Sequence, residues 1–135
     1  MLKSGTIPSR SLAPRKGTNT VLWCAPNSET YVVLHITSAI AGHVMQAMLT
    51  LSFEYVLKYI ELLNDGVIPG GIIRWVGEDD LLLTVKNAEN HQVTWGVLGA
   101  ALIALGDYMS KFGYGAATFA IFDGGSQVGQ GTIGP

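Results

Sequence analysis

The sequence predicts an α+β domain: an antiparallel sheet of about six strands in hairpins with two long helices on one face, in the order ββ-α-ββ-α-ββ. Three observations lead there. Two segments carry apolar residues at helical spacing. Six short runs rich in β-branched and aromatic residues come in pairs, each pair separated by turn-forming residues. A layout of helix, glycine and hairpin then occurs twice, over residues 38–87 and 90–133.

Taken in order, residues 1–18 are rich in Ser, Pro, Gly and basic groups without periodicity, and read as a flexible arm ahead of a single domain over 19–135. Residues 20–25 and 30–36 flank Pro26-Asn27-Ser28-Glu29, the signal of a hairpin with a four-residue turn. Such a turn sets Cys24 opposite Tyr31 and Thr20 opposite His35. Ser38 is placed to cap the first helix. Ala41, Met45, Met48, Ser52, Val56, Ile60 and Leu63 share one face of it, and Gln46, Thr50, Glu54, Lys58 and Glu61 line the other. Asn64-Asp65-Gly66 ends it, with Gly66 suited to a left-handed cap. Residues 72–76 and 81–86 form a second hairpin around Gly77-Glu78-Asp79-Asp80, with Leu81, Leu83 and Val85 on its buried side.

The second helix spans about 92–112. It has an apolar stripe (Val97, Leu98, Ala101, Leu102, Leu105, Tyr108, Met109, Phe112) and a side of small residues (Gly96, Gly99, Ala100, then Ile103 and Gly106). Glycine inside a helix costs about 1 kcal/mol relative to alanine. Several together imply close approach by another backbone or a sheet, so this helix is covered on both sides. Residues 117–122 and 127–133 make the last hairpin, turning at Asp123-Gly124-Gly125, where Asp-Gly suits a tight two-residue turn.

Charge narrows the function classes. Charged residues make up 13% of the chain, about half the usual share, so part of its surface is expected to be buried against a partner, most simply a second copy. Lys3, Arg10, Arg15 and Lys16 precede every acid. The other 119 residues carry four basic groups against ten acids, a balance of −6 that disfavours nucleic acid on the folded part. Cys24 is the single cysteine, which rules out an intramolecular disulfide. The first residues lack the apolar core of a signal peptide, and residues 92–106 are too short and glycine-broken to span a bilayer. The chain reads as soluble, either cytoplasmic or secreted with a leader absent from it.

Candidate chemistry is sparse. Cys24 and His35 would lie four residues apart along a hairpin, roughly 13 Å at ~3.3 Å per residue, too far for a nucleophile–base pair. His35 and His43 near the strand–helix junction, with Glu54 further along the first helix, are the minimum apparatus for proton transfer in a small cofactor-free isomerase or cyclase. No metal-binding spacing is present, and the Glu78-Asp79-Asp80 turn lacks the spaced oxygens of a calcium loop. Trp75, Trp95 and Tyr108 are candidates to line an apolar ligand pocket. Gly96, Gly99, Ala100 and Ile103 are candidates for a homodimer interface, a sheet edge being the alternative.

The Thr94-Trp95-Gly96-Val97-Leu98 helix opening and the Phe119-x-Ile121-x-Asp123-Gly124 hairpin give Gly77 to Ile133 a resemblance to a group of small uncharacterised fungal proteins, often secreted. The shared motifs are a cap, a packing helix and a turn. They imply a fold and no activity, cofactor or site residue. The leading expectation is a non-enzymatic binding or interaction protein acting through a homodimer surface or an apolar pocket for a small ligand or protein partner. The isomerase or cyclase is the rival.

Overall fold

The computed structural model describes residues 20–135; the arm assigned to residues 1–18 lies outside the described residues. The strands are β1 (Thr20–Cys24), β2 (Thr30–Ala39), β3 (Ile72–Val76), β4 (Leu82–Asn87), β5 (Gly115–Asp123) and β6 (Ser126–Gly134), and the helices are α1 (Gly42–Leu63) and α2 (Trp95–Phe112). The strands form one antiparallel sheet in the order β1-β2-β5-β6-β4-β3, an α+β fold. The β1–β2 hairpin has the register its turn length implies, Cys24 opposite Tyr31 and Thr20 opposite His35. No helix among the described residues is long and apolar enough to cross a membrane.

Strand side chains alternate between faces, and one face carries the core. On it lie Trp23, Val32, Leu34, Trp75, Leu83, Val85, Phe119, Ile121 and Ile133, all buried. Trp23 meets Tyr108 and Phe112 of α2 edge-on, with centroids 5.3 and 5.5 Å away, and Trp75 meets Tyr55 of α1 at 5.6 Å. The Trp23 indole also donates to Asp107 Oδ2 at 2.8 Å, which ties the edge strand β1 to α2.

Helix α2 is enclosed from two sides. Leu98, Ala101, Leu102, Leu105 and Met109 are buried in the core. On its small side, a Cβ built on Gly99 would stand 3.3 Å from Val56 and 3.5 Å from Phe53, and one on Gly106 would stand 3.7 Å from Leu49. All three neighbours belong to α1. The glycines thus let the two helices approach, the use that their cost in helix propensity implies.

Several boundaries depart from the expectation. Ser38 does not cap α1. It remains in β2, paired with Ala116 beyond a bulge, because the pairing with β5 continues to Ala39; α1 begins at Gly42 with no side-chain cap. The positive φ at the end of α1 belongs to Asn64 (66°), not Gly66. The last hairpin closes at Asp123 opposite Ser126, so its two-residue loop is Gly124-Gly125, with Gly124 at φ 71°. Helix α2 starts at Trp95, three residues later than its apolar pattern, because Thr94 caps it by accepting from the Val97 N–H at 3.2 Å.

Candidate functional site

On the open face of the sheet, opposite the core, Thr20, Arg74, Lys86, Thr118, Gln130 and Thr132 are exposed. The strand registers compose two adjacent rows on this face. The first runs Thr20, His35, Thr118, Thr132, Thr84, Arg74, one residue from each strand in spatial order. Every member is polar. The second runs Leu22, Val33, Ala120, Gln130, Lys86, Ile72, apolar at the β1–β2 end and polar over β6 and β4. Both rows border a trough of about 760 Å³. The β2–β5 and β5–β6 pairings each carry a register shift on either side of these rows, between Ile36 and Ser38 and between Ile121 and Phe122, and bulges bend and twist a sheet.

The electrostatics of this face run against those of the body. Between residues 20 and 135 the basic side chains are Lys58, Arg74, Lys86 and Lys111. Lys111 pairs with Asp107 at 3.2 Å, the one ion pair among the described residues. Arg74 and Lys86 both lie on the open face, exposed and without an acidic partner there. None of the ten acids borders the trough. They lie in turns, on the helices, or, as with Asp123, at the strand end on the core-facing side. A face of hydroxyls, an amide and two unpaired cations can bind an oxygen-rich anion without desolvating a carboxylate of its own.

The proton-transfer set is not brought together. His35 is half-buried on the open face, whereas Glu54 is exposed on α1, in the other layer. His43 lies in the first turn of α1 and Glu54 eleven residues on, a rise of roughly 16 Å along the helix. Among the described residues no group of three His, Cys, Asp or Glu side chains stands close enough to hold a metal ion. Cys24 is buried, which pushes its thiol up from the ordinary value and leaves it a poor nucleophile at neutral pH.

The aromatic candidates serve packing rather than one shared pocket. Trp95 is 2% exposed and stacks on Tyr59 at 4.2 Å; its indole N–H has no hydrogen-bond partner. Trp75 packs against Tyr55, and Tyr108 against Trp23. Tyr108 also borders a cleft of about 370 Å³ between the end of α2 and the bulged end of β2, which neither tryptophan reaches.

The interface candidates divide. Gly99 is buried against α1, and a Cβ on Gly96 would stand 2.5 Å from Asp65 Oδ2. The Asp65 carboxylate accepts from the Gly96 N–H at 2.9 Å and from the Gly66 N–H at 2.8 Å, which locks the end of α1 to the start of α2. The smallness of both glycines is therefore accounted for within one chain. Ala100 is half-buried, and Ile103, 41% exposed, borders a groove with Leu49, Phe53, Leu57 and Leu102.

The sequence sets Leu82, Thr84 and Lys86 outward on β4, but neither Lys86 nor Arg74 nor the threonine row stands out in it as a candidate. The signal available was that Thr84 and Lys86 alternate outward from Leu83 and Val85 and that Arg74 interrupts an apolar strand. No protein-family model matches this chain, and no curated protein or solved structure matches it either.

Proposed function

We propose that this protein is a non-enzymatic binding module whose ligand is an oxygen-rich anion seated on the open face of the sheet. The observation that carries the reading is the acid-free row from Thr20 to Arg74, with Lys86 beside it, on a body whose other surfaces hold all ten acids. The test is calorimetric titration of the protein with acidic and neutral carbohydrates and with single-stranded oligonucleotides. An acidic ligand should bind, weaken as salt rises, and lose its affinity in an Arg74→Gln/Lys86→Gln variant. Equal binding of neutral ligands, or no effect of the double substitution, would refute the reading.

Self-association is a second reading, favoured by the outer side of α1. On it Leu57 is half exposed and borders a groove with Leu49, Phe53, Leu102 and Ile103, and exposed apolar patches of this kind mark interaction sites. A homodimer through this side, with Ile103 at its margin, fits the low charge of the chain. Sedimentation velocity at micromolar concentration should give a dimer, and Leu57→Asp should shift it to monomer. A wild-type monomer across that range would remove the idea.

A further inference from the structure

We infer that the ligand of the open face is an extended oligosaccharide carrying uronic acid, laid across the strands along the row from Arg74 to His35. This rests on the reading above of the open face as an anion-binding surface and adds the size and class of the ligand.

Length comes from the register. Arg74 and His35 stand at ladder positions four strand spacings apart, roughly 19 Å at ~4.8 Å per spacing. A compact anion held by Arg74 and Lys86, diagonal neighbours on β3 and β4, would leave Thr84, Thr132, Thr118 and His35 unused. These residues recur at the strand spacing, which is close to the length of one sugar unit in an extended chain. Each hydroxyl both donates and accepts, as the hydroxyls of a sugar require. Ala120 and Val33, in the neighbouring row, offer apolar surface to the C–H faces of the rings.

Class comes from charge and from ring contacts. Full positive charge is confined to one end of the row, so the ligand is rich in hydroxyls and sparing in charge. That suits a carboxylated glycan better than a densely sulfated one. Single-stranded nucleic acid is gripped by stacking its bases on free aromatic rings. The two phenyl rings on this face, Tyr31 and Phe122, stack on each other at 4.9 Å and 2°, in a row beyond the trough, which leaves His35 the one ring of this face that borders it.

The full chain is titrated with galacturonic acid, with oligosaccharides of increasing length that carry a single terminal uronic acid, with neutral oligosaccharides of matched length and with a single-stranded oligonucleotide of matched length. Affinity should rise about tenfold or more from the disaccharide to a chain of about five units and then level off, as two or three added hydrogen bonds would give. Thr118→Val/Thr132→Val, exposed substitutions that suit a strand, should remove that gain. Arg74→Gln/Lys86→Gln should abolish binding at every length. Equal affinity for short and long chains, with the Arg74/Lys86 variant still inactive, would overturn the extended ligand and leave the anion-binding face intact. Failure of every oligosaccharide bearing the single uronic acid to bind, or tighter binding of the oligonucleotide or of the neutral sugar, would overturn the glycan. Binding that the Arg74/Lys86 variant retains would overturn both readings.

Discussion

Single residues in this protein act mostly by joining elements that are distant in sequence. Asp65 is the clearest case. Its carboxylate accepts backbone N–H groups from its own turn and from the first turn of α2. Nearby, the Trp95 N–H reaches the Gly66 carbonyl at 2.9 Å and the Ile68 N–H reaches the Val93 carbonyl at 3.1 Å. Replacing Asp65 by Ala leaves two donors without this partner, so a loss of about 1–2 kcal/mol is expected, the range of a helix-capping side chain. Denaturant unfolding should show that loss as a lower midpoint with an unchanged slope. The sequence marks Asn64-Asp65-Gly66 as a helix end. It does not reveal that Asp65 serves the next helix, because that contact exists only once the two helix ends meet.

At the scale of elements, strand β6 illustrates how a weak local signal is used. Gly129 and Gly131 occupy core-facing positions, opposite Ile121 and Phe119, where an ordinary strand would carry large apolar side chains. A Cβ on Gly131 would lie 2.5 Å from the Phe119 ring and 2.5 Å from the Thr84 carbonyl oxygen. The missing side chain makes room for Phe119, and the backbone oxygen cannot retreat without breaking the β4–β6 ladder. Gly131→Ala should therefore destabilise by about 1–3 kcal/mol through overpacking, despite alanine's lower backbone entropy in the unfolded chain. Thermal unfolding checks this, with Gly125→Ala in the open last turn, where a Cβ meets nothing within 4 Å, as the near-neutral control. Helix α2 was legible for a related reason: glycines at 96, 99 and 106 in an apolar segment announce close neighbours on both sides. That α1 is the neighbour at Gly99 was not legible.

For the molecule as a whole, the distribution of charge separates stability from binding. The one ion pair among the described residues, Lys111–Asp107, joins residues four apart on α2 with the Lys111 side chain half exposed, so it contributes little. Raising salt from low to physiological strength should leave the melting temperature nearly unchanged while weakening binding of the proposed anion at Arg74 and Lys86, which have no acidic neighbour on the open face. A melting temperature that falls steeply with salt would contradict this separation.

The sequence by itself determined what neighbouring residues can settle among themselves. Turn length set the β1–β2 register, period-two alternation set which side of β4 is buried, and helical spacing found both helices. These depend on contacts between residues close along the chain, where closing the intervening loop costs little entropy. Only the tertiary structure decided that β2 lies beside β5 and β6 beside β4. Those two pairings join hairpins separated by whole helices, and they are fixed by how α1 and α2 pack on each other and on the core face. Thr20, His35, Thr118, Thr132, Thr84 and Arg74 become one row through them. His35 was therefore visible as a residue of interest while its companions were not: as the strands assemble, it is set among threonines, with Arg74 at the far end of the row, and not with His43 and Glu54.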